Sequence, residues 1–341
     1  MSALVVAAGD VPPAEAGRWS ALERLAPAVA VTLMSLLPIT EMVSRQWKLP
    51  GIPGSTVAVQ HLTLWIAFIG AALAARSNRL LALSANTFLP ERWAGSVRIF
   101  VSAVGAAIAM CLTWAGALFV NAERLGGGEL AAGIPRWLAQ AVMPAGFLAV
   151  AVGIVWHAAP HRRGKLLAAL GLLVPCLLGF SPAPHSGAIL VAGVGVVLVA
   201  ALLGLPIFAT LGGIALLLFW NEGVPVAAVP VETYRLVASP VLPSIPLFTF
   251  AGYLLVAGGA NHRLLRVYQA LIGWMPGGLA ITTAVVCAVF TWAGSGVTIL
   301  AMGGLLLPML VKARYPENFS MGLINASGSL GLLFPPSLPV I

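Results

Sequence analysis

Charged side chains are scarce in this sequence. Only 8% of its 341 residues are Asp, Glu, Lys or Arg, whereas 60% are hydrophobic, and the mean hydropathy is +0.99. A soluble domain carries about a quarter charged residues, so this chain has too little polar surface to cover a water-soluble globule. The composition predicts an all-α polytopic membrane protein and excludes an intrinsically disordered chain.

Cysteine and catalytic motifs are also sparse. The three cysteines lie inside apolar segments, where a thiol behaves as a small hydrophobic group, which excludes a disulfide scaffold. The net charge of +8 comes from cations that flank apolar runs, so membrane topology explains it better than nucleic-acid binding does. We find no acid–base pair, nucleophile motif or phosphate-binding glycine loop, and we predict neither an enzyme nor a bound cofactor.

The amino-terminal half contains apolar stretches long enough to cross a bilayer, which takes about 20 helical residues. Residues 1–20 hold charges and no apolar core, so we predict a cytoplasmic tail there. Four full spans and a shorter fifth stretch follow, at about 25–44, 57–75, 97–120, 137–159 and 166–180. A Pro-rich segment, 181–187, then predicts an exposed loop and a module boundary.

The carboxy-terminal half has shorter apolar stretches broken by glycine and proline. We predict two short spans, 187–203 and 206–220, joined by a tight turn, and a further span over 245–259. Residues 221–244 predict an aqueous loop or an interfacial helix, and 261–274 predict a helix lying in the membrane surface. The total is about nine transmembrane helices.

Two helices in the last part of the chain are predicted to be interrupted at membrane depth. The apolar run 279–310 is split by Gly294-Ser295-Gly296 into arms shorter than a crossing, which predicts one re-entrant hairpin. Residues 319–341 predict a helix broken near Pro335 and Pro336. With the amino terminus inside, this hairpin places 13 of the 18 Lys and Arg on the cytoplasmic side, against 11 for a single span.

These breaks define the candidate site. Irregular backbone at membrane depth is tolerated where it is buried in protein or lines a wet cavity, and its carbonyl and hydroxyl oxygens suit a hard cation such as sodium. We therefore predict a shared cation site built from the hairpin tip and the broken helix: Gly294, Ser295, Gly296, Thr298, Ser327, Gly328, Gly331, Pro335, Pro336 and Ser337. The alternative is that these glycines and serines form packing faces and the prolines form kinks.

Three other polar residues receive weaker assignments. Asn325 either contacts substrate in the site or hydrogen-bonds a neighbouring helix. Glu41 is predicted to pair with Arg45 one helical turn away rather than to relay protons. His61 is predicted to make an interfacial or interhelical hydrogen bond rather than to bind a metal.

Several ordered motifs over the last 155 or so residues resemble the large membrane subunit of tripartite ATP-independent periplasmic (TRAP) transporters. They are Pro246-Leu247-Phe248-Thr249-Phe250-Ala251-Gly252-Tyr253, Leu271 to Ala280, Gly294-Ser295-Gly296, Pro308-Met309-Leu310, Tyr315-Pro316 and Gly328 to Ser337. The upstream part, with four spans and the run Trp65 to Arg76, resembles the small membrane subunit of the same family.

The resemblance implies a division of the chain and a transport mechanism. Residues 21–160 would be the small-subunit-like four-helix module, 161–186 a linking helix and loop, and 187–341 the first repeat of the large subunit. The fold would be the first half of an inverted-repeat ion-transporter-like fold. In that family a transport domain moves in an elevator-like way against a scaffold that includes the small subunit, and sodium lies between hairpin tips and helix breaks.

We accordingly expect a permease component, multi-pass in the bacterial inner membrane, of a sodium-coupled importer. A periplasmic binding protein would deliver organic acids such as C4-dicarboxylates. The tip Ala293 to Val297 has less serine than is usual in the family, which favours carbonyl ligands. The sequence stops at Ile341, after one repeat, so we expect either a fragment or truncated product, or a second chain that supplies the rest of the large subunit. The alternatives are a non-transporting scaffold or fragment and a sodium/carboxylate symporter without a binding protein.

Overall fold

The computed structural model describes residues 18–48, 52, 54–83, 90–130, 133–174, 187–239, 242–259, 273–290 and 306–330, and a few isolated positions between 260 and 272. Every regular element in these ranges is a helix, which confirms the all-α prediction for them. The helices are α1 Arg18–Gln46, α2 Ser55–Arg76, α3 Glu91–Gly126, α4 Arg136–Gln140, α5 Val142–His157, α6 Arg162–Ala169, α7 Gly187–Leu202, α8 Ile207–Asn221, α9 Ala228–Val237, α10 Ser244–Ala257, α11 Gly278–Phe290, α12 over 306–312 and α13 Glu317–Leu330.

Four of the helical stretches are long and apolar enough to cross a membrane: Leu25–Gln46, Ser55–Arg76, Arg92–Gly126 and Arg136–His157. They coincide with the four full spans expected from the sequence, which confirms those spans as long apolar helices. Shorter apolar helices cover Gly187–Leu202, Ile207–Asn221 and Gly278–Ala288. The chain is therefore built as a multi-pass membrane protein, and the number of crossings stays a prediction.

Proline and glycine set several helix ends. Pro90, Pro135 and Pro206 immediately precede α3, α4 and α8, as expected because proline has no N–H to leave unpaired in a first turn. Gly127 follows α3 with φ 65°, a left-handed conformation that costs glycine little. Pro90 and Gly127 therefore mark the two ends of α3.

The turn expected between residues 203 and 206 is present. Gly204 adopts φ 109°, and the Leu205 N–H donates to the carbonyl of Ala200 at 2.8 Å. Ile207 N–H then donates to the carbonyl of Leu81 at 2.9 Å, which ties the start of α8 to the segment after α2. The apolar run 187–220 is therefore two short helices.

Two compact units divide the chain. One unit is Leu37–Ser239, and the other combines Met1–Leu36 with Pro240–Ile341. We describe each by itself. The sequence-based division at residue 186 is a different partition, and it stays a prediction.

The unit Leu37–Ser239 is organised around α3. Helix α5 packs along both α3 and α2, where Phe68 and Phe147 meet edge to face with ring centroids 4.9 Å apart. A second core joins α3 to helices beyond residue 186, through Val101, Ile108, Leu112, Val197, Ala200, Leu205, Ala209, Leu216 and Val229. Helices α7 to α9 thus share one hydrophobic core with α3.

Glycines allow close helix contacts in this unit. A Cβ atom at Gly146 would lie 2.6 Å from Cδ1 of Phe68, and one at Gly153 would lie 2.9 Å from Cβ of Ala75. Small residues let helix backbones approach, and this packing drives association where lipid removes the hydrophobic driving force. Helices α2 and α5 therefore pack too closely for larger side chains at these positions.

The second unit has a small core formed by the last helices. Val286 and Cys287 of α11, Leu306 and Leu310 of α12 and Ile324 of α13 are buried together. Shared burial of 286–287 with 306–310 is what two arms of a hairpin would produce. The tip between them, 291–305, and the expected break at 331–336 lie outside the described residues.

The remaining expectations have mixed outcomes. Residues 221–244, expected as a loop or an interfacial helix, contain α9. The expected stretch 166–180 is helical as far as it is described, since α6 continues into a 3-10 turn at Leu170–Leu173. The expected surface helix 261–274 lies largely outside the described residues, as does the tail 1–20.

Candidate functional site: buried hydroxyls and a paired polar cluster

Two of the predicted cation-site residues lie in the described part of the chain. Ser327 and Gly328 are buried on α13, with Ser327 only 1% exposed. Gly294, Ser295, Gly296, Thr298, Gly331, Pro335, Pro336 and Ser337 lie outside the described residues, so the site as a whole stays a prediction.

Asn325 is exposed on α13. Residues two positions apart on an α-helix point to nearly opposite sides, so Asn325 and Ser327 do not share a face. Its role in substrate contact stays a prediction. The hydroxyl of Ser329 donates to the backbone carbonyl of Asn325 at 3.3 Å, which is a bond within the helix.

Helices α11 and α13 bury further hydroxyl groups that the sequence analysis did not single out. Thr282 and Thr283 on α11 and Ser320 on α13 are all 0% exposed. Ser320 lies seven residues before Ser327, two helical turns away on the same face. A pair of adjacent threonines inside an apolar arm of 13 residues was the sequence signal for these groups.

The hydroxyls differ in their hydrogen bonds. Thr283 Oγ1 donates to the Leu279 carbonyl at 2.9 Å, and Ser320 Oγ donates to the Pro316 carbonyl at 3.0 Å. Thr282 Oγ1 has no hydrogen-bond partner among the described residues. A buried polar atom without a partner is costly by about 1–3 kcal/mol, so the Thr282 hydroxyl is an oxygen available to a ligand.

A second cluster of polar side chains lies in the unit Leu37–Ser239, and all of its members are described residues. His61 on α2 is 8% exposed, and its Nε2 lies 2.9 Å from the hydroxyl of Tyr234 on α9. Its Nδ1 lies 2.7 Å from the Val57 carbonyl, which can only accept, so Nδ1 carries the proton. Nε2 and the phenol share a hydrogen bond between α2 and α9, which confirms the interhelical hydrogen bond expected of His61.

Tyr234 joins several elements through this contact. Burial raises the pKa of the Tyr234 phenol, while the nearby amide of Gln140 and the charge of Arg136 act in the opposite direction. The phenol therefore stays protonated at neutral pH and can donate. Its ring also lies 5.8 Å from the ring of Phe119 on α3, so α2, α3 and α9 meet at Tyr234.

Gln140 lies beside this group on α4. Its side chain is 0% exposed, and neither amide atom has a hydrogen-bond partner of standard geometry among the described residues. Arg136 Nη1 on the same helix donates to Glu123 Oε1 of α3 at 2.9 Å. The cluster thus contains one ion pair and one His–Tyr bond, and the buried amide of Gln140 lies beside the Tyr234 phenol.

The Glu41 carboxylate, near the end of α1, has a partner on each oxygen. Glu41 Oε1 accepts from Arg45 Nε at 3.2 Å, which confirms the expected i,i+4 pair. Its other oxygen accepts from Ser55 Oγ at 3.3 Å, so the carboxylate also links α1 to the start of α2. Among the described residues no group of three or more His, Cys, Asp and Glu side chains has the geometry to hold a metal ion.

Comparison with known proteins identifies two regions. Residues 34–164 match the model described as "Tripartite ATP-independent periplasmic transporters, DctQ component", and residues 194–341 match "Tripartite ATP-independent periplasmic transporter, DctM component". Residues 1–33 and 165–193 lie outside both matches. The His61–Tyr234 hydrogen bond therefore joins the two matched regions.

Individual relatives resemble part of the chain. A C4-dicarboxylate TRAP transporter large permease protein DctM of Rhodobacter capsulatus is 33% identical over 150 residues, which are 43% of this chain and 34% of that protein. An isethionate TRAP transporter permease protein DctMQ of Oleidesulfovibrio alaskensis is 35% identical over 141 residues, 40% of this chain and 22% of that protein. An ectoine TRAP transporter large permease protein TeaC of Halomonas elongata is 38% identical over 103 residues, 29% of this chain and 24% of that protein. The chain thus spans about a third or less of the length of these relatives.

Proposed function

Because the chain belongs to the tripartite ATP-independent periplasmic transporters and joins a DctQ region to a DctM region, we propose that it acts in sodium-coupled uptake of organic acids. It is a transporter permease component and not an enzyme. Its proposed substrates are organic acids such as C4-dicarboxylates, delivered by a periplasmic binding protein. Its proposed location is the bacterial inner membrane, with the amino terminus in the cytoplasm.

The observation that carries this proposal is the presence of both membrane components in one chain. The DctQ match ends at residue 164 and the DctM match begins at residue 194, so one polypeptide carries regions that match both components. The names of relatives give C4-dicarboxylate, isethionate, 2,3-diketo-L-gulonate and ectoine as substrates; the first three are organic anions, and ectoine is a zwitterion with a carboxylate. This supports the substrate class and leaves the individual compound to experiment.

Sodium coupling is supported by the oxygen-rich segments of the second unit. Sodium is a hard cation that prefers carbonyl and hydroxyl oxygens. The glycine and serine tip 294–296 and the Pro335–Pro336 break supply such oxygens by sequence. In the described part, Ser327 is buried on α13 and the Thr282 hydroxyl is buried on α11 without a partner. We propose that these segments hold the coupling ion.

We further propose that the unit Leu37–Ser239 serves as the fixed scaffold. Its helices from the DctQ and DctM regions share one hydrophobic core and the His61–Tyr234 bond. Such a unit would resist relative movement of α3 and α9 during transport. The proposed partners are the binding protein and, if it is encoded separately, the remaining part of the large subunit.

Uptake in proteoliposomes tests the proposal. The purified chain is reconstituted with a C4-dicarboxylate-binding protein of a TRAP system and, in a parallel sample, with the separately encoded remainder of the large subunit if the flanking genes supply one. In the sample that also contains the remainder of the large subunit, we expect labelled succinate to accumulate under an inward sodium gradient and not under an equal potassium gradient. Accumulation without the binding protein would favour a simple sodium/carboxylate symporter. Sodium binding without uptake in every sample would favour a scaffold.

One substitution tests the proposed sodium site within the described residues. Ser327→Ala removes a buried hydroxyl from α13, and we expect the sodium concentration for half-maximal uptake to rise about tenfold, as for one lost ligand of about 1.4 kcal/mol. Ser329→Ala is the matched control, because Ser329 is exposed on the same helix. Equal sodium dependence in the two variants would contradict the assignment of Ser327.

A further inference from the structure

Helix α6 and the 3-10 turn after it expose an apolar face. Leu166, Leu167, Leu170 and Leu173 are 68%, 53%, 58% and 54% exposed among the described residues. The opposite face carries small buried residues and packs on α3, where a Cβ at Gly164 would lie 3.1 Å from Cδ1 of Ile99. The close approach to α3 fixes α6 in place and directs the leucines outward.

Cations gather at the amino-terminal end of this leucine face. Arg162 and Arg163 are exposed on the first turn of α6. Lys165 Nζ lies 4.4 Å from the ring centroid of Trp156, near the end of α5. Arg98 of α3 is exposed and donates from Nε to the Ala158 carbonyl at 3.0 Å, and Gly164 packs against its neighbour Ile99. Three segments therefore bring four cations to one corner of the unit Leu37–Ser239.

The sequence around this corner is poor in acidic residues. The sequence contains no Asp or Glu over 92–122 or over 130–221. Among the described residues, none of the four cations forms an ion pair. Like charges at close range repel one another and an anion relieves that repulsion, so the corner has an unmet preference for negative charge.

From this combination we infer that the α5–α6 corner is a binding site for an anionic phospholipid. The phosphate of the headgroup lies against Arg162 and Arg163, with Lys165 and Arg98 at its flanks. The acyl chains lie along Leu166, Leu170 and Leu173. Trp156, which is 66% exposed, marks the level of the membrane interface, where tryptophan is enriched.

The paired features distinguish this ligand from a soluble anion. Basic residues alone would take inorganic phosphate, and exposed leucines alone would contact any lipid. Cations at the end of an apolar helix face match an amphiphile whose charged head adjoins its chains. The inference does not depend on the transport activity proposed above, since it concerns residues outside the candidate sodium site.

Native mass spectrometry of the full-length chain in detergent tests the inference. Phosphatidylglycerol and phosphatidylethanolamine with identical acyl chains are titrated onto the protein. We expect phosphatidylglycerol to bind at least tenfold more tightly. We also expect the double variant Arg162→Gln/Arg163→Gln to bind it about thirtyfold more weakly than the unmodified chain, from about fivefold per cation.

The control variant is Lys312→Gln/Arg314→Gln, which removes two exposed cations elsewhere in the chain. We expect it to retain phosphatidylglycerol fully, and the charge-conserving Arg162→Lys/Arg163→Lys to retain most of it. Equal losses of affinity in the two Gln variants would show that binding depends on net charge alone, and would overturn the proposed site. If Arg162→Gln/Arg163→Gln does not purify as a monodisperse protein, the test becomes the comparison of phosphatidylglycerol with phosphatidylethanolamine on the unmodified chain. Equal affinity there, or competition by inorganic phosphate as effective as the lipid, would also overturn it.

Discussion

The two units of the molecule bury polar groups in different ways. In Leu37–Ser239, His61 bonds Tyr234 and Arg136 bonds Glu123, so the groups that connect its helices have partners. In the second unit, the short helices α11 and α13 bury hydroxyls, and that of Thr282 has no partner among the described residues. Paired polar groups hold helices together, whereas unpaired oxygens at membrane depth are suited to a ligand. The buried amide of Gln140 in the first unit also lacks a partner of standard geometry among the described residues, so the contrast rests on the helix-to-helix bonds of the first unit and the buried hydroxyls of the second. On that basis we propose a fixed unit and a ligand-handling one.

The largest expected effect comes from the predicted hairpin tip at Gly294. Gly294→Lys places a charged side chain where we predict close backbone packing around a cation, and we expect uptake to fall to background. The control is Gly126→Lys at the exposed end of α3, where a Cβ meets nothing within 4 Å. Sodium-driven uptake is measured at matched protein levels. Retained activity in Gly294→Lys would show that the tip is not a packed site.

Substitutions at the helix breaks should change sodium dependence more than protein yield. Ser295→Ala and Pro336→Ala each alter a segment predicted to supply oxygens, and we expect each to raise the sodium concentration for half-maximal uptake several-fold. Sodium titration of the uptake rate, together with membrane expression, provides the measurement. Unchanged sodium activation in both variants would sink the predicted cation site.

The fixed unit should be sensitive to overpacking. Gly153→Leu places its side chain against Cβ and the backbone of Ala75, which cannot move away without shifting α2. We expect a loss of about 1–3 kcal/mol in stability, seen as a lower Tm in detergent. Gly70→Leu on α2 is the control, since a Cβ there meets nothing within 4 Å. Equal Tm values would mean that α2 and α5 do not pack as described.

The polar link between the two matched regions should have a moderate effect. Tyr234→Phe removes the hydroxyl that donates to His61 and leaves the ring, and we expect a cost of about 1 kcal/mol. Tyr315→Phe in the second unit is the control, because Tyr315 stacks on Phe319 through its ring. Thermal unfolding compares the two. A Tm of Tyr234→Phe equal to that of the control would show that the bond contributes no stability.

The smallest effect concerns exposed charge within the fixed unit. Arg235 and Glu232 pair at 2.7 Å with 75% and 46% of their side chains exposed, whereas Arg136 and Glu123 are 40% and 21% exposed. Solvent screens the first pair, so Arg235→Gln should change stability by less than about 0.5 kcal/mol. Arg136→Gln should cost more, because it leaves Glu123 half-buried without its cation. The reverse order of the two Tm values would contradict this ranking.

Much of the fold could be predicted from the sequence because lipid imposes strong rules. The four long helices follow from apolar length. The turn at Gly204 follows from a Gly-Leu-Pro interruption in a run too long for one span. The Glu41–Arg45 pair and a hydrogen bond at His61 were expected because isolated polar groups at span ends need partners, whereas the identity of the His61 partner, Tyr234, is a finding of the structure. Each of these signals is local in the sequence.

The arrangement of the helices could not be predicted in the same way. Helices such as α5 and α7 are apolar all the way round, so their composition does not distinguish a lipid-facing side from a buried one. The shared core of α3 with α7 to α9 is therefore a finding of the structure. The close-packed glycines Gly146 and Gly153 gave a partial signal, as small residues do at membrane helix contacts.

The sequence predicts the candidate site from the interruptions at 294–296 and 335–336. It does not point to the hydroxyls that the structure finds buried on α11 and α13. Thr282 and Ser320 escaped the sequence analysis because single hydroxyls in apolar helices usually bond to their own backbone, as Ser320 does. Only the structure distinguishes Thr282, whose hydroxyl is buried without such a bond.

Hydrogen exchange of the reconstituted chain, with and without sodium, tests the central claim most directly. If Leu37–Ser239 is the fixed scaffold and the second unit holds the coupling ion, sodium will slow exchange in peptides from 278–330 and leave those from 55–237 unchanged. Potassium at the same concentration will have no such effect. Protection by sodium across 55–237, or equal protection by sodium and potassium, would contradict the division of roles between the two units.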